Sequence, residues 1–179
     1  MNKYTFILFS ALFLGACSSN NTQDNNNAEN KVESKASEPF VENHEFSSLT
    51  LESEIGLRGF SFPEAEGRWT EDNYVYLGIP CKAKNNQTII FDAIPYINKE
   101  HPSMEVSVYV SDSLISEWSF ENGQKITPIS VVVTPSMTTE NNIQLKFKIK
   151  SPKSPKELGL GQDNRKLGLF VKKIIIYGF

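Results

Sequence analysis

The chain has 179 residues, a formal net charge of −3, 22% charged residues and 39% hydrophobic ones. No basic stripe interrupts this mildly acidic balance, which excludes nucleic acid as the main partner. The two cysteines are Cys17 and Cys81, and only Cys81 falls in the globular part, which excludes an internal disulfide there and leaves the fold to its apolar core.

The chain opens with the basic start Met1-Asn2-Lys3, an apolar run from Tyr4 to Phe13, and small residues before Cys17. That order is the order of a secretory signal peptide. The run falls short of the roughly 20 residues that a permanent membrane span needs. Leu14-Gly15-Ala16-Cys17 resembles the lipobox of bacterial lipoproteins. The resemblance implies removal of residues 1–16 and lipid on Cys17, with several acyl chains holding the protein to a membrane. Ser18 stands where an Asp in enterobacterial lipoproteins resembles an inner-membrane retention signal, so the resemblance implies the outer membrane in a Gram-negative cell.

Residues 17–48 read as the lipidated cysteine and a tether. They are rich in Asn, Ser and Glu, with the run Asn25-Asn26-Asn27, and carry few large apolar side chains. Such a segment buries too little surface to offset its ordering entropy, and disorder is expected. From Leu49 to Phe179 the composition is that of one globular domain.

Within residues 49–179, strand signals follow one another. Gly59 to Thr70 reads as a loop feeding a strand. Tyr74 to Ile79 ends at Pro80, and Gln87 to Ile94 ends at Pro95. Cys81 between them reads as a small buried side chain. His101 lies in the turn Asn98 to Pro102 and reads as an exposed loop histidine, and His44 falls in or near the tether. Met104, Val106, Val108 and Val110 alternate with polar neighbours and Tyr109. Leu114, Ser116, Trp118 and Phe120 share a face of the next strand, which makes Trp118 a core residue before it is a ligand platform. Ile129 to Val133 lies between Pro128 and Pro135. Ile143, Leu145, Phe147 and Ile149 alternate with Gln144, Lys146, Lys148 and Lys150, the period of a half-buried antiparallel strand. Ser151 to Gly168 is a long connection, and Leu167 to Tyr177 is the last strand. Short strands at regular spacing, with no helical period, predict an all-β single antiparallel β-sandwich.

Chemistry is sparse. No His, Cys or carboxylate spacing gives a zinc site, and no nucleophile elbow is present. No cofactor is expected. Glu64 and Glu66 lie in one loop, and Glu157 and Asp163 in another. Paired carboxylates can hydrolyse glycosides or hold calcium. With Arg68 and Arg165 nearby, salt bridges that lock the loops account for the same residues. Trp69 beside Arg68, with Tyr74 and Tyr76 downstream, is either a platform for the flat face of a sugar or part of the core. The lysines at 146, 148 and 150 form a charged sheet face, which is either simply solvated or in contact with anionic phosphoglycan.

Three motifs carry a second resemblance. They are Gly59-Phe60-Ser61-Phe62-Pro63-Glu64-Ala65-Glu66-Gly67-Arg68-Trp69-Thr70, then Trp118-Ser119-Phe120, then Pro152 to Gly168 with Ser154-Pro155, Glu157-Leu158-Gly159, Asp163, Arg165 and Leu167-Gly168. In order and spacing they resemble a module at the C-terminus of bacterial membrane phosphoglycerol transferases and related surface-glycan synthesis proteins. The resemblance implies a jelly-roll-like sandwich and a link to envelope glycan. It implies no catalysis, because the catalytic part of those enzymes has no counterpart in this chain. The reading is a non-enzymatic, membrane-anchored lipoprotein that binds or organises envelope glycan, with Glu64, Arg68, Trp69, Trp118, Glu157, Asp163 and Arg165 as candidate ligand residues. The alternative is a module that docks onto a membrane glycan-synthesis or transport protein, and behind that a small glycan-modifying enzyme.

Overall fold

A computed structural model describes residues 39–81, 85–138 and 142–178. Its strands are β1 (Phe40–Glu45), β2 (Gly56–Arg58), β3 (Arg68–Trp69), β4 (Tyr74–Pro80), β5 (Gln87–Pro95), β6 (Ser103–Val110), β7 (Ser113–Glu121), β8 (Ile129–Val133), β9 (Asn142–Lys150) and β10 (Leu169–Gly178). The signal segment, Cys17 and the tether as far as residue 38 lie outside the described residues.

One sheet runs β1-β10-β5-β8, with β3 also beside β10; the other runs β2-β4-β9-β6-β7. Every pairing is antiparallel. With the short β2 and β3 set aside, β1-β10-β5-β8 faces β4-β9-β6-β7, which is the interlocked order of a jelly roll. The fold is the all-β antiparallel sandwich that the strand spacing predicts.

The core forms because each strand turns alternate residues inward. On β9, Ile143, Leu145, Phe147 and Ile149 are buried while Gln144, Lys148 and Lys150 are exposed. Val75, Leu77 and Ile79 of β4 and Met104, Val106, Val108 and Val110 of β6 extend the same layer. Ile89 and Phe91 of β5, Val131 and Val133 of β8, and Ile174 and Ile176 of β10 close over it from the other sheet.

Three expectations are corrected. The tether does not run to residue 48, because β1 occupies part of it and pairs with β10 from Phe40↔Gly178 to Glu45↔Lys173. Phe46, just after β1, is fully buried. As an edge strand, β1 needs few apolar residues, so its composition looks like that of a linker. Leu114 does not share the inward face of Trp118: the register shifts between Val108 and Tyr109, Leu114 pairs with Tyr109, and its side chain is exposed. A bulge moves every residue beyond it to the other face. His101 is buried rather than exposed, and burial, then nearby Lys153, lowers its pKa. His44 sits on β1, with Nδ1 3.0 Å from Glu54 and Nε2 3.7 Å from Glu42.

Candidate functional site

Two close approaches draw the loop Gly59–Thr70 against β10 and against the loop Ser151–Gly168. A Cβ at Gly67 would lie 2.2 Å from the Val171 carbonyl oxygen, and one at Gly168 would lie 2.5 Å from Thr70 Oγ1. Only glycine permits such contacts. The gap left at Gly67 lets β3 pair with β10, Arg68 opposite Val171 and Trp69 opposite Phe170. The Thr70 hydroxyl accepts the Leu169 N–H at 2.8 Å, and Ser61 Oγ accepts the Trp69 N–H at 3.0 Å.

Adjacent residues on β3 face opposite ways, so Arg68 and Trp69 cannot form one surface site. Arg68 points inward and is 2% exposed. Its Nε donates to the Phe46 carbonyl at 2.9 Å, and Nη2 donates to the Ser48 carbonyl at 2.9 Å and to Glu52 Oε2 at 3.0 Å. Nη1 pairs with the other Glu52 oxygen. The hydrogen bond from Arg68 holds the Glu52 carboxyl below its usual pKa. The partner is thus Glu52, on the short 3₁₀ turn Leu51–Ser53, and neither Glu64 nor Glu66. Glu66 pairs with Lys172 at 2.8 Å.

Trp69 points outward and is half-buried. Its ring lies 4.9 Å from that of Phe170 and meets Tyr96 edge-on at 5.6 Å. Ile94 of β5 pairs with Phe170 and is exposed, so an apolar strip crosses the outer face from β3 over β10 to β5. Burial, followed by the charges of Asp163 and Glu100, raises the Tyr96 pKa.

Asp163, Arg165 and Glu64 do come together. Arg165 Nη2 donates to Asp163 Oδ2 at 2.7 Å and Nε to the same oxygen at 2.9 Å, while Nη1 reaches Glu64 at 3.1 Å and Glu71 at 3.3 Å. The hydrogen bond from Arg165 depresses the Asp163 pKa, and Asp163 in turn raises that of Arg165. One guanidinium therefore ties both loops together, as the salt-bridge reading expects.

Glu157 is held apart from that cluster. Its carboxylate accepts the Ser154 N–H at 3.0 Å while Ser154 Oγ accepts the Glu157 N–H at 3.0 Å. This reciprocal cap fixes the turn, and the bond from the Ser154 backbone is the main cause of a lowered Glu157 pKa. Trp118 lies in the core, with its ring 5.6 Å from Phe91 and 5.9 Å from Phe147. Among the described residues no group of three or more His, Cys, Asp or Glu side chains is arranged to hold a metal ion.

Tyr96, Phe170, Glu52 and Glu71 complete these constellations, and the sequence singles out none of them. Tyr96 follows the long apolar run of β5 and Phe170 opens that of β10, and only the register of β3 on β10 brings Phe170 to Trp69.

The fold and site define a jelly-roll sandwich with an aromatic strip on one face and a charged knot between two loops. No family model matches the chain, and no curated protein matches it. The resemblance to phosphoglycerol transferase modules therefore rests on the three motifs alone. Among solved structures the chain is similar to the C-terminal CBM6 of LamC, a marine laminarinase from Zobellia galactanivorans, with 15% identity, a TM-score of 0.42, and coverage of 76% of this chain and 98% of that one. It is similar to the CBM36-1 domain of a multidomain xylanase from the hindgut metagenome of Trinervitermes trinervoides, with 9% identity, a TM-score of 0.46, and coverage of 78% and 98%. It is also similar to dimeric latent PorU from Porphyromonas gingivalis, with 12% identity and a TM-score of 0.48, covering 78% of this chain but only 12% of PorU. These are likenesses of chain path, and no residue role is taken from them.

Proposed function

We propose that this protein is a non-enzymatic lipoprotein, anchored in the outer membrane through Cys17, that binds envelope glycan with its sandwich domain. The anchor reading rests on Leu14-Gly15-Ala16-Cys17 behind an apolar run. The observation that carries the glycan reading is the half-exposed cluster of Trp69, Tyr96 and Phe170 beside the Arg165 knot. Aromatic rings bury the flat C–H face of a sugar with little directional demand, and adjacent charged groups then orient its hydroxyls. The carboxylates near the strip are engaged with Arg165, so they serve orientation and not proton transfer. A glycan array probed with the wild-type chain and with Tyr96→Ala tests this. Binding to envelope oligosaccharides that is lost in the variant supports the reading, and an array without signal overturns it.

One observation favours the rival. Phe62 is 91% exposed and Leu160 is 51% exposed, on the two loops that Arg165 joins. Large apolar side chains at adjoining loops suit a protein partner in the membrane glycan-synthesis or transport machinery. Cross-linking from position 62 in intact cells, with loss of the adduct in Phe62→Ser, tests that docking role.

A further inference from the structure

The second sheet carries a feature that folding alone does not explain. Gly56 of β2 and Gly78 of β4 stand directly opposite each other on the outer face. Neither has a positive φ, and a Cβ added to either would come no nearer than 3.7 Å to the other's Cα, which is ordinary contact. Neither backbone conformation nor space requires glycine here. Glycine inside a strand weakens it and often marks a place where a ligand or another backbone approaches closely. The pair leaves a furrow with a backbone floor, continuous with two depressions of about 240 and 390 Å³ that share Gly56, Gly78 and Asn142.

The walls of the furrow are mostly polar, and the two carboxylates that line the larger depression, Glu52 and Glu54, are engaged by Arg68 and His44. Gln144 pairs with Gly78 across the strands, and Asn142 Nδ2 lies 3.8 Å from where a Gly78 Cβ would sit. Asn142 Oδ1 is buried without a hydrogen-bond partner among the described residues. At the other end the Arg58 guanidinium lies 5.2 Å above the Tyr76 ring, and Arg58 makes no ion pair with any described carboxylate. Stacking holds the cation in place and leaves its edge N–H groups free to donate. One row further along the face, Lys148 is also without an ion pair among the described residues and sits beside the exposed ring of Tyr74. Lys146 and Lys150, by contrast, are neutralised by Asp112 and Glu105. Glu117 is the acidic group of the Lys148 row, separated from it by Ser107.

We propose that this furrow is a binding site for an anionic oligosaccharide, one whose sugar carries a carboxylate or phosphate. One sugar lies on the backbone floor between Gly56 and Gly78. Asn142 and Gln144 bond its hydroxyls, and Arg58 takes the acidic group as a preorganised fork. The site is on the opposite sheet from Trp69, so the two stand or fall separately.

The test measures binding of three probes to the purified full chain: oligogalacturonate, poly(glycerol phosphate) and a neutral cello-oligosaccharide of matched length. At least one anionic probe should bind tenfold or more tighter than the neutral one, and which of them does so identifies the acidic group. Gly56→Val fills the furrow with a residue suited to strands, so it should abolish that binding with no fall in melting temperature. Arg58→Ala should weaken it at least tenfold, while Lys150→Ala, on the same sheet but outside the furrow and already paired with Glu105, should leave it unchanged. Equal affinity for the neutral probe, no binding of either anionic probe, or full binding by Gly56→Val would each overturn the proposal.

Discussion

Arg165 and Asp163 form a forked ion pair: Nη2 and Nε of the guanidinium both donate to Oδ2, at 2.7 and 2.9 Å. The same guanidinium reaches Glu64 in the other loop. Arg165→Lys keeps the charge but cannot keep the fork. With the side chain 39% exposed, water screens much of the gain, and the substitution should cost roughly 1 kcal/mol in urea unfolding. An unchanged midpoint would show that the loops stand without it.

The pair also sets a pH dependence. Asp163 has a folded pKa below its unfolded value, so its contribution is fully present above about pH 4, the ordinary aspartate range, and is lost as pH falls through the depressed folded value. The stability gap between wild type and Asp163→Asn should therefore narrow progressively in acid below that point. A gap that widens in acid would contradict the assignment.

Arg68 should behave quite differently. It is buried, and its removal strips hydrogen bonds from the Phe46 and Ser48 carbonyls and leaves a cavity. Arg68→Ala should cost about 3 kcal/mol by chemical denaturation. A loss under about 0.5 kcal/mol would mean that the inward arginine adds nothing to the fold.

The domain boundary is open to direct measurement. Phe40 covers Gly178 so closely that no Cβ fits there, and Phe46 is wholly buried. A chain beginning at Pro39 should melt like the full protein. One beginning at Leu49 loses β1 and Phe46, bares the edge of β10, and should melt well below it or aggregate. Equal melting temperatures would place β1 outside the folded unit.

What was legible in the sequence follows from where each signal lives. The alternation of Ile143, Leu145, Phe147 and Ile149 with polar residues declares β9 because one face is core and the other water. A one-turn pairing such as Arg165 with Asp163 is local, so spacing reveals it. The partners of Arg68 and Trp69 are not local. Glu52 is 16 residues from Arg68, and Phe170 reaches Trp69 only through strand register. β1 was hidden for another reason: an edge strand with inward Phe40, Glu42 and His44 carries no apolar alternation.

The anchor is tested by fractionation. Cys17→Ser should abolish acyl labelling and release the protein from membranes or leave it unprocessed. A variant that is still processed and membrane-bound, with no acyl label on the wild type, would contradict lipidation.

The central claim is that the outward aromatic strip holds sugar, and the most direct measurement is affinity for a neutral envelope oligosaccharide, which lacks the acidic group the furrow requires, alongside unfolding free energy in Trp69→Ala. The ring is half-buried against Phe170 and Tyr96, so its loss should cost only about 1–2 kcal/mol of stability. The account predicts that binding by the wild type disappears in a variant that remains folded. Binding that survives in folded Trp69→Ala would contradict it.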